Sequence, residues 1–499
     1  MNIGFLFGAG AEIAYNMPSG GKFALEIFRR DSSEPKEDFK KMRESIDSTT
    51  HYAGSWLPDD YKTRSIGTFG RSVFESIIKD TIEHNRDIIV DKLNNFDGMA
   101  KEVAAQLHSR GLSIDNAVQN ITGRTPRNIG LGQDVAFIDE FSEGNRLFAN
   151  NYFSALLFVY KERPAIRVSL GKIIIAILQL QVGALGEKLS KRINENLFKK
   201  KKDDIDLFDD LGEIIQLNYR SSGVTGLEYL LDATRADVST DEGVVLYFAQ
   251  EVLENIFASV LDYKTLIDSN WHYLYLPKTE WTKFCKISIF LLTVKDYIEQ
   301  QCREVNLSAM GYYNDLKQAV LDGKIEETCI ATTNYTSLIS SILGDGIHYL
   351  NGSTAKWYDP YVNRILTEEE ISGKECHFVV PLLFTQSGTK PITSIGMSIE
   401  YVDVYRKYQA ADCICSIGFG FNADDEHING MIRTLVDEGK KLIVVEPQRS
   451  SRSCEERAEE IAERLKVTNT ERIKVLFVDR DTRTDKDGLL WTDVLPTIV

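Results

Sequence analysis

The chain contains no C-x-x-C pair, and its seven cysteines (Cys285, Cys302, Cys329, Cys376, Cys413, Cys415 and Cys454) form an odd, scattered set confined to the second half. That pattern excludes the common zinc modules and a disulfide framework. It is expected of reduced thiols, most of them in the core, with no metal centre. Positive charge is also short: 58 Lys plus Arg stand against 74 Asp plus Glu, a net charge of −16. A protein that coats nucleic acid by bulk charge is thereby excluded. A local basic contact is not: the lysine run 199–202, followed by Asp203 and Asp204, reads either as a solvated loop between helices or as such a contact. Long apolar runs are missing as well. The greasiest segment, 168–185, is interrupted by Lys172, Gln179 and Gln181, so it is expected as a buried helix rather than a membrane span. The opening MNIGFLFGAG has no basic residues ahead of its apolar stretch and reads as a first strand, not a signal peptide. A soluble, cytoplasmic protein without a membrane partner is expected, and no repeat period is evident.

What is present is ordinary globular material: 499 residues, 43% hydrophobic and 10% aromatic. That is enough for a large core and for two to four domains' worth of chain, and too apolar for a disordered protein. Residues 2–7 form a short apolar run that stops on Gly-Ala-Gly, the pattern of a buried strand entering a tight turn. From about 70 to 320 apolar residues recur at three and four, as in RSVFESIIKDTIEHNRDIIVDKL and WTKFCKISIFLLTVKDYIEQQC, which predicts helices. A polar, glycine-bearing connection covers 122–134. After about 325 short apolar runs (328–332, 347–350, 377–383, 412–417, 441–446 and 473–477) alternate with helical patterns (395–409, 424–438 and 453–465). Such alternation implies βαβ units and a parallel sheet. The expected architecture is α/β: a Rossmann-like parallel sheet built from 1–30 and 325–499, interrupted by a large, mostly helical insertion over 31–324.

Open parallel sheets bind ligands beyond the carboxyl ends of their strands, and the distinctive motifs fall there. Gly8-Ala9-Gly10-Ala11-Glu12 follows the first strand and leads to Pro18, Gly20 and Gly21. Small residues let backbone approach a pyrophosphate, and free N–H groups of a following helix can hold it. Thr332-Thr333-Asn334-Tyr335 offers hydroxyls and a carboxamide to a sugar, or caps the next helix. Asn351-Gly352-Ser353 and Gly418-Phe419-Gly420 are glycine turns after strands, the second followed by Asp424 and Asp425. Glu446-Pro447 closes a strand with an acid able to take ribose hydroxyls.

Taken in order (GAGAE…MPSGG, TTNY, LNGS, IGFGF…DD, VVEP), these five segments resemble the sirtuin-like family, and most closely the divergent bacterial sirtuin-like NADases of antiphage defence. The resemblance covers residues 1–30 and about 325–450. It implies a pocket in which NAD+ is bound as substrate, a homo-oligomer, and a HerA-type translocase ATPase as a partner, with nucleic acid reached only through that complex. The departures are specific. The four-cysteine zinc module is missing and Pro18 is followed by Ser-Gly-Gly-Lys, both of which argue against deacylation. Thr336 stands where the family usually carries an acid, and Asn351 where it carries its general-base histidine. His348 and His427 are candidates to act instead, while His377 opens a strand at the end away from ligands.

The expected reaction is cleavage of the nicotinamide–ribose bond, with Asn334 holding a ribose hydroxyl and a water. Nicotinamide leaves as a neutral molecule and needs no protonation, unlike ordinary glycosidase leaving groups. Loss of a general base weakens such catalysis by ~10²- to 10⁴-fold without abolishing it. Two other readings stay open: a regulatory subunit that binds NAD or ADP-ribose, and a nucleic-acid-processing subunit of a defence complex.

Overall fold

Asn2–Phe7 (β1) is apolar at five of six positions and buried over Ile3–Phe7, which suits a central strand of a parallel sheet covered on both faces. The computed structural model describes residues 2–18, 20–130, 147–181, 204–206, 216–218, 224–232, 234–261, 264–308, 310–371, 376–383, 394–448 and 452–498. The lysine run 199–202, residues 131–134 of the glycine-bearing connection and the end of the 168–185 segment lie outside them. The other strands are Asp204–Asp206 (β2), Gln216–Asn218 (β3), Glu326–Thr332 (β4), Ile347–Tyr349 (β5), Gly352–Asp359 (β6), Arg364–Thr367 (β7), Val380–Leu383 (β8), Cys413–Ile417 (β9), Lys441–Pro447 (β10) and Ile473–Val478 (β11).

Six of them form one parallel sheet in the order β11-β10-β9-β1-β4-β5. Numbered by appearance within the sheet, the order from the β5 edge is 3-2-1-4-5-6, the doubly wound Rossmann arrangement. The order reverses between β1 and β9. Such sheets bind ligands beyond the carboxyl ends of the strands that flank this reversal. The α/β expectation therefore holds at the level of a parallel, Rossmann-like sheet.

Alternation along the strands builds two cores. Ile3, Phe5 and Phe7 share one face with Cys413, Cys415 and Ile443; Leu6, Cys329, Ala331 and Ile414 line the other. Cys413 and Cys415 share a face because they are two apart on a strand. Gly4 leaves room for the Tyr408 ring, which a Cβ would meet at 2.5 Å, and the Tyr408 hydroxyl donates to Phe5 O at 2.6 Å. None of the seven cysteines, all among the described residues, is in a disulfide; Cys285, Cys329, Cys413 and Cys415 are buried, Cys302 and Cys454 are half-buried and Cys376 is exposed.

One strand expectation is corrected. The apolar run at 377–383 does not join the parallel sheet: Val380–Leu383 pairs antiparallel with β6, which also pairs with β7, in a separate three-stranded sheet. Periodicity reveals a strand but not its partner. The strands over 352–359 and 364–367 carried too little apolar alternation to be read.

By packing, the chain divides into two units, Met1–Ser19 with Arg30–Phe69 and Tyr263–Val499, and Gly20–Arg29 with Gly70–Asp262. Segments 30–69 and 263–324 thus pack with the sheet, a division different from the one expected at 30 and 325. The second unit is mostly helical and adds the short antiparallel pair β2–β3. Its helix Asp241–Ala258 is buried nearly all round. Its acidic residues Glu251 and Glu254 are matched by Lys22, Arg29 and Arg235 rather than left as uncompensated charge. Among the described residues no helix is long and apolar enough to cross a membrane.

Candidate functional site

Two glycine turns meet at the point where the sheet order reverses. Gly8 N–H donates to Ile417 O and Gly10 N–H to Gly418 O, each at 2.9 Å. A Cβ on Gly8 would lie 2.6 Å from Gly418 O, and one on Gly10 2.8 Å from Gly418 Cα. Gly418 itself has φ +67°, and a Cβ there would lie 2.2 Å from Ala11 N. The left-handed conformation and the close approach both demand glycine. These glycines serve the packing of one turn on the other. The amides of Gly8, Gly10 and Ala11 are bonded within the protein, Ala11 to Gly8 O at 3.0 Å. The segment Ala9–Tyr15 is a short 3₁₀ helix rather than an α-helix that could present a full N-terminal turn.

The threonine–threonine–asparagine corner lies against the first turn. Thr333 N–H donates to Phe7 O at 2.9 Å, and the Thr332 hydroxyl donates to the same carbonyl at 3.2 Å. Asn334 N–H donates to Thr332 Oγ1 at 3.0 Å. The Asn334 side chain donates from Nδ2 to Gly8 O at 3.1 Å and to Tyr313 Oη at 3.2 Å. A carbonyl can only accept, so Gly8 O fixes the amide orientation, and both N–H groups of the carboxamide are used. Its Oδ1 remains as the acceptor, the atom suited to a ribose hydroxyl or a water.

Beneath this corner lies a carboxylate. Glu12 is 4% exposed, and its Oε1 accepts from the Tyr313 hydroxyl at 3.0 Å and the Thr336 hydroxyl at 2.5 Å. Burial raises its pKa to about 7, an effect that the bonds from Thr336 and Tyr313 only partly offset. Tyr313 is itself held: its N–H donates to Tyr15 Oη at 3.0 Å, the rings stack at 5.4 Å, and Tyr15 donates to Asn314 Oδ1 at 2.7 Å. Tyr313 and Tyr15 escaped the sequence reading, which named Thr336 only as the residue standing where the family usually carries an acid. Tyr313 lies on the helix Tyr312–Leu321, before the strand that carries the motif, and no spacing ties it to Glu12.

Stability should report the buried carboxylate directly. The proton binds more tightly to folded Glu12 than to an ordinary glutamate at 4.5. The stabilisation is therefore complete below about pH 4.5 and is lost as pH rises through about 7, on the order of 3 kcal/mol in all. Urea denaturation at pH 5 and pH 8 should show wild type losing stability relative to Glu12→Gln over that interval. Parallel losses in the two proteins would mean that Glu12 does not carry the titration.

The third turn brings Asn351 and His427 together. Asn351 is 2% exposed; its Nδ2 donates to Thr333 O at 3.3 Å, and its Oδ1 lies 3.4 Å from His427 Nε2. His427 belongs to the helix Glu426–Asp437, and its ring packs edge-on to Tyr401 at 5.7 Å. His348 is placed elsewhere: its Nδ1 lies 3.0 Å from a Glu400 oxygen and its Nε2 2.8 Å from Lys407 Nζ, both on the helix Ile395–Ala410. An extended strand turns residues three apart to opposite faces, and the chain does not bend enough to undo this. His377 pairs with Asp359 at 2.7 Å within the small antiparallel sheet region, among Tyr52 and Tyr361.

The remaining candidates divide. Tyr335 O accepts from Thr354 N–H at 3.0 Å, and Gly352 and Ser353 pair with Leu383 and Leu382. Phe419 is a core side chain, 5.0 Å from the Phe421 ring, and Gly420 O accepts from Arg464 at 2.7 Å. Asp425 is buried at the start of the helix Glu426–Asp437. Both oxygens of Glu446 are taken by Arg457, at 2.6 and 3.0 Å, so this acid anchors the helix Cys454–Leu465 to β10. Pro447 closes β10 beside Val478, and Pro18 precedes the helix Gly20–Arg29. Among the described residues no group of three His, Cys, Asp or Glu side chains is arranged to hold a metal ion.

No model of a known protein family matches the chain, and no curated protein matches it.

Proposed function

We propose that the chain is an NAD+ glycohydrolase that cleaves the nicotinamide–ribose bond. One observation carries this reading: at the reversal point of the sheet, the first glycine turn and the buried Asn334 carboxamide are joined by a 3.1 Å hydrogen bond, with Oδ1 left as acceptor. In the reaction the C1′–N bond breaks and its electron pair returns to the pyridine ring. A water oxygen bonds to C1′, and the water gives up one proton. The products are nicotinamide, ADP-ribose and a proton. Asn334 Oδ1 holds a ribose hydroxyl or orients the water. Where the family's histidine is replaced, the proton goes to Nδ1 of His427, because Nε2 faces the Asn351 carbonyl oxygen and is the donor there. With deacylase features missing from the sequence, the cellular role consistent with this chemistry is bacterial antiphage defence by NAD depletion. It would act within a homo-oligomer and alongside a HerA-type ATPase.

A second reading is favoured by Asn351 itself, standing where the family carries its histidine: a regulatory subunit that binds NAD or ADP-ribose without cleaving it. Incubating the purified chain with NAD+, alone and with its partner ATPase, separates the two. Hydrolysis gives nicotinamide and ADP-ribose in equal amounts; tight calorimetric binding with intact NAD+ supports the regulatory subunit and overturns the hydrolase.

A further inference from the structure

Asn334 presents its carbonyl because both of its N–H groups are taken, and one of the two acceptors is a hydroxyl that can point either way. Tyr313 Oη accepts from Asn334 only while its own proton is directed elsewhere, and Glu12 Oε1 is where it goes. The Thr336 hydroxyl donates to the same oxygen. The two ends of the chain Asn334–Tyr313–Glu12 thus agree: Gly8 O fixes which side of the Asn334 amide donates, and the carboxylate fixes where the Tyr313 proton points.

Resting on the NAD-cleavage reading, we propose that Glu12 and Tyr313 are positioning residues for that reaction: ionised Glu12 fixes the Tyr313 proton and so, together with Gly8 O, holds the Asn334 carbonyl toward the ribose. The same negative charge, two hydrogen bonds from Asn334 in a buried setting, favours the positive charge that develops on ribose as neutral nicotinamide departs. No proton or electron is transferred to Glu12 in the step. The titratable groups facing it are Tyr313 from the helix Tyr312–Leu321, Cys302 from the helix Trp281–Glu304 and Tyr349 at the end of β5, with Tyr15 stacked on Tyr313. Burial pushes the pKa of each of these upward, Cys302 to about 11, so all four are neutral near pH 7 and Glu12 is the member that ionises there. An acid at residue 336, the family's usual choice, would crowd a second carboxylate against Glu12. Thr336 donates to it instead.

The test is nicotinamide release from NAD+ by the full chain between pH 5.5 and 9, with Glu12→Gln, Glu12→Asp and Tyr313→Phe. Wild-type kcat should rise about tenfold per pH unit below its midpoint and level off above it, as expected for one essential ionised group. Glu12→Gln, which keeps the shape and removes the charge, should abolish that rise and lower the plateau at least about tenfold. Glu12→Asp should restore part of it. Tyr313→Phe should lower kcat with little change in KM, the mark of an interaction used in the transition state rather than in binding. If Glu12→Gln keeps the wild-type pH profile and rate, the inference is overturned while the hydrolase reading stands. If wild type releases no nicotinamide at any pH, with or without its partner ATPase, both fall together.

Discussion

Asn334→Ala is expected to eliminate measurable nicotinamide release, a loss of at least ~10²-fold in kcat, while the protein stays folded. The side chain is the only member of the motif corner whose free polar atom is fixed by two independent acceptors, Gly8 O and Tyr313 Oη. Removing one preorganised polar group from a reacting centre costs on the order of 10²- to 10³-fold. The structural penalty is smaller, because Gly8 O and Tyr313 each lose one donor, about 1–2 kcal/mol together. Asn334→Asp should be worse for stability than Asn334→Ala: it places a second acid beside the buried Glu12 carboxyl, and oxygen opposite oxygen at Gly8. The measurements are chromatographic nicotinamide release and urea denaturation of the same preparations. Activity of Asn334→Ala within threefold of wild type would remove Asn334 from the reaction.

The largest loss of stability is expected from Asp315→Ala. Asp315 and Arg483 are 2% and 3% exposed. Arg483 donates from Nε to Oδ2 at 2.5 Å and from Nη2 to Oδ1 at 3.1 Å, and the Trp491 indole N–H donates to Oδ2 at 3.0 Å. Alanine leaves a buried guanidinium and a buried indole N–H without their acceptor, which costs about 3–5 kcal/mol. Arg483 also sits at φ +58°, an uncommon conformation for a non-glycine residue that these bonds help to hold. Asp315 lies two residues after Tyr313 on the same helix, so loosening this clamp also releases the tyrosine that orients Asn334. The check is the urea midpoint of Asp315→Ala against Asp315→Asn, which keeps an acceptor for Trp491 and should lose less. A change below about 1 kcal/mol in Asp315→Ala would show that the pair is dispensable to the fold.

The sheet was legible because its strands are short apolar runs punctuated by glycine or a polar cluster, a local signal that survives without knowledge of neighbours. β1, β4, β9, β10 and β11 were each visible in this way. The strand at Val380–Leu383 was visible too, but its membership in a second sheet was not, because pairing is decided across long sequence separations. The same limit governs the site. Asn334 and Asn351 could be singled out from motifs at strand ends. Glu12 could be named, though its enclosure by Tyr313 and Thr336 could not: a helix hundreds of residues away supplies one partner, and burial supplies the shifted pKa. The glycines were ambiguous in a different way. Gly-x-Gly after a strand suits a phosphate-binding loop and two turns packed on each other equally well, and here the second use is the one the backbone bonds display. Glu446 follows the same lesson, since an acid ending a strand reads as a ribose ligand until Arg457 is found holding both oxygens.

The account rests on a ribose seated at the Asn334 corner. A crystal of the full chain soaked with a hydrolysis-resistant NAD+ analogue tests it most directly. The expected density places a nicotinamide-ribose hydroxyl or its attacking water within hydrogen-bond distance of Asn334 Oδ1. An analogue bound elsewhere, or an Asn334 carbonyl turned away from a sugar in well-defined density, would contradict it.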